Sequence, residues 1–396
     1  MENSPVTSSE KDTSAHVNMP VTRCRVCGHP FFEEPLLRYE HMPGAAQYLP
    51  DAESLGKDVG VALEVCQCAG CGLVQLTNAP VPYYREVIRA AAVSAEMTAF
   101  RLRQFGDFVR KYGLTRKKVI EIGCGRGEFL SLMQQHDVDA YGIEYSPESV
   151  KIAVANGLRV SQGYIDHPSC RLHGAPFDAF FILNFLEHMP DQNSALDGIC
   201  NNLTDGAVGL VEVPNFDMIV HHDLFSEFIG DHLFYFTRDT LIAALQSHGF
   251  EILECTVVWY DYIISVVVRK RARLDLSRFQ ARRMELKTEM EAYLLRFAGG
   301  KVAIWGAGHQ AFAVIALTGI ADRIRYVVDS APFKQGKYTP ATHIPIVSPD
   351  TLESDPVDAV IIMAASYSDE VARIIRERFG RGIQMCILRD FGLETV

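Results

Sequence analysis

Val119-Ile120-Glu121-Ile122-Gly123-Cys124-Gly125-Arg126-Gly127-Glu128-Phe129 is an apolar run that breaks into glycines at alternate positions. The run reads as a strand, and the glycines mark a turn where only a bare backbone permits a tight bend and the close approach of a ligand. A helix is predicted to follow. About twenty residues on, Ala140-Tyr141-Gly142-Ile143-Glu144 reads as a second strand ending in a carboxylate, placed to hydrogen-bond a ribose diol as in nucleotide-binding βαβ units. A dinucleotide site asks for G-x-G-x-x-G, with its third glycine for close helix packing. Here that position is Glu128, and the pattern is E-x-G-x-G-x-G from Glu121.

The 396-residue chain has a formal net charge of −11, and 48% of its residues are apolar. That length suits about two or three domains, and the composition suits a soluble globular protein, because no uninterrupted apolar run is long enough to cross a bilayer. The acidic balance argues against nucleic acid, whose affinity comes from neutralised phosphates, and favours a small-molecule partner. No basic segment followed by an apolar one marks a secretory leader, so a cytoplasmic protein without membrane association is expected. The cysteines fall partly in pairs of metal-like spacing, which fits a reducing compartment with bound zinc rather than a disulfide framework.

Residues 1–20 are polar and are expected to form a disordered tail. Residues 21–80 combine the cysteine pairs, turn residues and a short β-like run at Val61–Val65, as a small zinc-binding module does. Residues 81–112 look helical. From 117 to about 270, strand-like and helical runs alternate, which predicts an α/β domain whose parallel sheet is covered by helices and carries an antiparallel edge. The whole of 81–270 therefore reads as one domain with an N-terminal helical segment. Residues 271–298 read as a bridging helix with Leu274, Leu276, Phe279, Met284 and Met290 as a loose stripe. A second βαβ pattern from Lys301 to His309 makes 299–396 a Rossmann-like domain.

Cys24-x-x-Cys27 and Cys68-x-x-Cys71 present four thiolates, the set that zinc accepts tetrahedrally, and four protein ligands leave no open position, so the metal is expected to be structural. His29 and His41 stand nearby, but four thiolates suffice. After the third strand of the central domain, Asn184, Leu186, Glu187 and His188 reach the crevice outside the carboxyl ends of the strands, where open α/β sheets bind ligands. Gln162 and Tyr164 lie after an earlier run, and Glu212 and Asn215 leave the next strand at the same face. Beyond them, His221, His222, Asp231, His232 and Tyr235 fall in an aromatic-rich stretch. Removing a proton from carbon beside a carbonyl needs a base that titrates near neutrality, as histidine does, and His232 is the candidate. Asp231 is the neighbour placed to set its charge, and Tyr235 offers a hydroxyl.

The E-x-G-x-G-x-G pattern resembles motif I of S-adenosylmethionine-dependent methyltransferases. That resemblance implies a cofactor site at Glu121, Gly123, Gly125, Gly127, Phe129, Glu144 and Tyr145, with Asn184, Leu186 and His188 at the methionyl end. The ordered set of the two cysteine pairs, EIGCGRGEF, LEHMPD, VEVPN, DHLFYF and a later GAG with Val328-Asp329 is similar to the sugar C-methyltransferases of deoxysugar biosynthesis. These methylate carbon 3 of nucleotide-linked 4-keto sugars, in antibiotic and related secondary metabolism. The resemblance covers nearly all of the chain after residue 20. It implies a zinc module, a central class I methyltransferase domain and a C-terminal Rossmann-like domain that helps to hold the nucleotide part of the substrate. It also implies His232 as the base, acting on a carbon acid between the last two. In that family the base lies in a Tyr-His-Glu-His run, where this chain has Ile229, Gly230, Asp231 and His232. A Tyr- and Ser-rich segment of the family is replaced here at 88–94. These departures point to a changed acceptor.

Asn215, His221, His222, Gly308, His309, Asp329, Lys334, Tyr338 and His343 are the candidate substrate contacts. Gly306-x-Gly308-x-x-Ala311 with Asp329 also approximates the dinucleotide fingerprint, so an NAD-linked oxidoreductase is one rival reading. An O- or N-methyltransferase on the same frame is another, and a zinc-scaffolded binding protein without catalysis is a third.

Overall fold

The computed structural model describes residues 19–47, 49–86, 93–297, 299 and 301–396. The expected tail falls almost wholly outside these residues, as does most of the replaced segment at 88–94. The chain divides into two compact units, Met1–Ala272 and Arg273–Val396. Among the described residues, no helix is long and apolar enough to cross a membrane.

In the first unit, β1 (Leu37–Met42), β2 (Val61–Gln67) and β3 (Val74–Leu76) form an antiparallel sheet. Helix α1 (Ala95–Tyr112) begins where the Ser94 side chain accepts the Met97 N–H, and it ends at Gly113 in a left-handed conformation. Its Phe105, Phe108 and Val109 are buried. Then come β4 (Lys118–Ile122), α2 (Glu128–Met133), β5 (Asp139–Glu144), α3 (Pro147–Ala155), β6 (Val160–Gln162), β7 (Phe177–Leu183), α4 (Gln192–Asn201), β8 (Leu203–Pro214), α5 (Phe216–His221), β9 (Phe234–Tyr235), α6 (Arg238–Ser247), β10 (Phe250–Val258) and β11 (Ile263–Lys270).

The main sheet has the order β10-β11-β8-β7-β4-β5-β6. Strands β4 to β8 pair in parallel, and β11 and β10 add the antiparallel edge. Strand β7 is apolar at almost every position because a parallel strand in mid-sheet is covered on both faces, with Phe177, Phe180 and Phe181 wholly buried. Strand β9 joins a different sheet. It pairs antiparallel with β3, Val74 opposite Tyr235, so the cysteine-bearing sheet reads β1-β2-β3-β9. Leu63, Val65, Val74 and Leu76 of that sheet share a core with Phe216, Ile219, Phe228 and Tyr235. The N-terminal segment and the main α/β domain are thus one structure.

The second unit holds α7 (Ser277–Leu294), β12 (Val302–Trp305), α8 (His309–Thr318), β13 (Val327–Val328), β14 (Ile346–Val347), α9 (Thr351–Ser354), β15 (Ala359–Ile362), α10 (Ser368–Phe379), β16 (Gln384–Arg389) and β17 (Gly392–Thr395). Its sheet order is β14-β13-β12-β15-β16-β17, parallel except for the last pair. The helix read as a bridge over 271–298 packs into this unit's own core through Met290, Tyr293 and Leu294. Leu274, Leu276, Phe279 and Met284, read as its apolar stripe, are exposed, because the neighbouring elements cover only its last turns.

Candidate active site

The glycine turn leaves β4 with Gly123, Gly125 and Gly127 all at positive φ. At Gly123 (φ 70°) a Cβ would lie 2.4 Å from the Phe185 ring, and at Gly127 (φ 88°) 2.2 Å from Leu158. Both positions therefore need glycine for space as well as for conformation. Glu121 is buried in β4, and Glu144 ends β5, accepting from the Gly125 N–H (3.0 Å) and the Ser146 N–H (2.8 Å). The carboxylate thus clamps the turn it faces.

Gly123, Glu144, Tyr145, Tyr164, Phe185 and Met189 line the crevice, together with Arg85. The Arg85 guanidinium sits 5.4–5.5 Å from the ring centres of Tyr84, Tyr145 and Tyr164 and 3.6 Å from Asp166. Phe129 lies under the guanidinium of Arg101, itself buried in an ion pair with Glu212 that Gln104 completes. Glu212 is therefore an anchor for α1. Gln162 lies at an exposed strand edge, its amide 3.4 Å from the Tyr145 carbonyl.

At the end of β7, Asn184 adopts φ 49°, and its Oδ1 has no hydrogen-bond donor among the described residues. Leu186 points into the core with no exposure, so its side chain cannot meet a ligand. The next two residues, both buried, cluster with the half-buried His232. Nδ1 of His188 donates to the Asp231 carbonyl (2.8 Å), which leaves Nε2 as the lone-pair nitrogen. The His188 and His232 rings meet edge to face at 4.7 Å. His188 Nε2 is 3.9 Å from Glu187 Oε1, and one ligand atom from each of the three residues lies within 4.8 Å of the others.

Glu187 is 1% exposed, and neither oxygen has a hydrogen-bond partner among the described residues. Burial pushes its carboxyl up to about 8. Burial likewise lowers His188 to about 4, against a smaller opposing effect of Asp231, and lowers His232 to about 3, with His188 adding to the effect. All three groups are uncharged at neutral pH.

The residues flanking His232 act differently from their sequence reading. The Asp231 carboxylate turns to accept the Ala46 N–H (3.0 Å), so it acts on the cluster only at a distance, while its backbone carbonyl holds His188 directly. The Tyr235 hydroxyl contacts the backbone N–H (3.0 Å) and carbonyl (3.3 Å) of Ile229, fixing the loop that carries His232. Asn215 begins α5 and donates to the Asp261 carbonyl (2.8 Å), with Oδ1 unmatched among the described residues. His221 and His222 are exposed at the far end of that helix, their rings edge to face at 4.8 Å.

The four cysteines converge. Cys24 and Cys71 sulfurs are 3.8 Å apart and Cys27 and Cys68 sulfurs 3.4 Å, close to the edge of about 3.8 Å that a tetrahedron of Zn–S bonds demands. Backbone N–H groups of Cys27, Gly70 and Cys71 point at these sulfurs, and the Gln75 amide donates to Cys24 Sγ (3.2 Å). Donor type, number and spacing fit a structural zinc ion. His29 and His41 lie outside the set.

In the second unit, Gly308 caps α8 and His309 opens it, exposed. Asp329 is held by its own surroundings: Oδ2 accepts from the Ala307 N–H (2.8 Å) and Lys334 Nζ (2.9 Å), and Oδ1 accepts from the Ala331 N–H (2.9 Å). The carboxylate that an NAD site would aim at a ribose is latched. Tyr338 and His343 are exposed.

A family model described as a methyltransferase domain matches residues 93–255, and one described as a C-methyltransferase C-terminal domain matches 271–388. The C-methyltransferase NovU of Streptomyces niveus is 25% identical over 390 residues, covering 89% of this chain and 91% of NovU. A ubiquinone biosynthesis O-methyltransferase of Psychrobacter arcticus is 30% identical over 110 residues, 26% of this chain and 43% of that enzyme. Among solved structures, an S-adenosylmethionine-dependent methyltransferase from Clostridium acetobutylicum covers 48% of this chain and 97% of its own, at 12% identity and a TM-score of 0.37.

Proposed function

Because the chain is an S-adenosylmethionine-dependent methyltransferase with a class I Rossmann-like α/β domain, we propose that it methylates carbon. The acceptor is a carbon acid, a nucleotide-linked keto sugar or a related secondary-metabolite intermediate, and His232 is the general base. The observation that carries this reading is the position of the His232 ring, set edge-on to His188, which follows β7. Burial holds its pKa at about 3, below the near-neutral value expected of the base, so its basicity must rise when the acceptor binds. A neutral imidazole accepts the proton of a carbon next to a carbonyl. The match to NovU, which runs through both units, supports carbon as the atom methylated.

Gly123, Gly125, Gly127, Glu121, Phe129, Glu144 and Tyr145 would hold the cofactor, and the unmatched Oδ1 of Asn184 suits its ammonium. S-adenosylmethionine supplies, when bound, an electrophilic methyl group on a sulfonium. The chain orients the acceptor carbon toward it, which removes an entropic barrier. Asn215 offers an acceptor for a substrate hydroxyl, and the second unit carries His309, Tyr338 and His343 as its own exposed candidate contacts. Asp329 and Lys334, paired with each other, are less suited to substrate contact. Cys24, Cys27, Cys68 and Cys71 hold a structural zinc ion.

Incubation with methyl-labelled cofactor and nucleotide-linked 4-keto sugars tests the reaction. Label on a new carbon–carbon bond is the expected result. Label only on oxygen or nitrogen would replace this reading by the O- or N-methyltransferase one.

A further inference from the structure

The buried carboxyl of Glu187 has no role in the mechanism so far, yet it lies within 4.8 Å of the proposed base. A buried carboxyl with no hydrogen-bond partner among the described residues is costly, and a ligand that completes it would relieve that cost. The groups facing it are His188 Nε2 at 3.9 Å, His232, and Tyr262, whose hydroxyl donates instead to Glu227 (2.8 Å). A metal ion is the first alternative. Zinc or a similar ion with oxygen and nitrogen bonds of about 2.0–2.2 Å would draw its ligand atoms to about 3.3–3.6 Å from each other. The Glu187–His188 separation of 3.9 Å is slightly longer than that, and among the described residues the Glu187 oxygens lack the N–H donors that surround the cysteine sulfurs.

We propose that Glu187 is the general acid that works with His232: its carboxyl hydrogen goes to the acceptor's carbonyl oxygen as His232 takes the hydrogen of the adjacent carbon. The inference rests on the carbon-acid reading. In this step the C–H bond breaks and its proton joins the His232 lone pair. The freed electron pair becomes the C=C bond, the C=O π pair moves to oxygen, and that oxygen takes the Glu187 proton. The site then holds an imidazolium and a carboxylate side by side, so no net charge is created in a dry environment. An imidazolium alone would be strongly disfavoured there, which is why burial depresses His232. When the C=C pair is spent on the new carbon–carbon bond, the oxygen returns its proton to Glu187 and His232 releases its own to solvent. Two groups less than 4.8 Å apart can address the α-carbon and the carbonyl oxygen of one ketone at once.

The full-length, zinc-loaded enzyme is used for the test. Infrared spectra with isotope-labelled glutamate, which need no variant, should show a protonated carboxyl at pH 7 that titrates near pH 8 and vanishes in Glu187→Gln. In deuterated water, exchange of the carbon-3 hydrogen of thymidine diphospho-4-keto-6-deoxyglucose should slow about a hundredfold or more in Glu187→Gln. Glu187→Asp should recover part of the rate, and the wild-type loss of rate above about pH 8 should disappear in Glu187→Gln. Wild-type exchange that is undiminished in Glu187→Gln, a Glu187 carboxyl already ionised at pH 6, or a second equivalent of bound metal needed for the rate would each overturn the inference alone. No exchange by the wild type would remove the carbon-acid reading and this inference with it.

Discussion

Among the described residues, the first unit carries two convergent clusters of ligand-type side chains, and their surroundings differ. The four cysteine sulfurs collect N–H groups from the backbone and from Gln75, an environment that stabilises negative charge and therefore a bound cation. Glu187, His188 and His232 sit in a drier place. No hydrogen-bond donor among the described residues meets the Glu187 oxygens, and all three groups are held neutral. Ligand-type residues alone do not make a metal site. Spacing and the polarity of the surroundings decide whether such a cluster stores a cation or moves a proton.

Removing the cation should break the first cluster outright. Structural zinc contributes on the order of 10 kcal/mol or more. Strong chelation, or Cys68→Ser, should abolish methyl transfer and the folded signal of the β1-β2-β3-β9 sheet together, with zinc content measured in parallel. Retained activity in zinc-free protein would erase the distinction. The second cluster should fail more selectively. His232→Ala should lower kcat by about a hundred- to ten-thousand-fold, while calorimetric affinity for the cofactor stays near wild type. Full turnover would remove His232 from the mechanism.

A subtler test reads the second cluster's charge through stability. Folded Glu187 keeps its proton up to about pH 8, whereas an unfolded glutamate loses it near about 4.3. Its contribution is complete below that lower value and is lost as pH rises toward 8. Glu187→Gln, which cannot ionise, should therefore gain in Tm over wild type at pH 8 and show little gain at pH 5. His188 and His232 act oppositely, their contribution being present above about 6.5 and lost as pH falls toward 4 and 3. The smallest effect is expected outside both clusters. Lys334→Met, which opens the Asp329 latch, should cost about 1 kcal/mol in denaturant unfolding of the second unit and leave zinc content unchanged.

Local chemistry was readable where it depends on spacing along the chain. The glycine turn with Glu144 and the two cysteine pairs stand in the structure where their intervals in sequence put them. Side-chain direction was not readable. Asp231 neighbours His232 in sequence, yet its carboxylate turns to Ala46 while its carbonyl orients His188. Arg85 among three tyrosines, Arg101 against Glu212, and the fourth strand of the cysteine-bearing sheet all depend on partners far away in sequence. No periodicity encodes such pairs. Likewise, Leu274 to Met284 are apolar at loose helical intervals, but the elements that would cover them pack only on the end of the helix.

The pairing of β3 with β9 joins residues about 160 apart in sequence, and β9 begins two residues after His232. Such long-range closure comes late in folding, because a large loop must be ordered before the contact repays it. The loop carrying His232 therefore takes its working shape only after the α/β domain has formed and the cysteine-bearing strands have docked. An isolated 93–272 fragment would lack the strand partner of β9. A graft of this methyltransferase domain onto another N-terminal module would need a replacement for β3 before it could place its base.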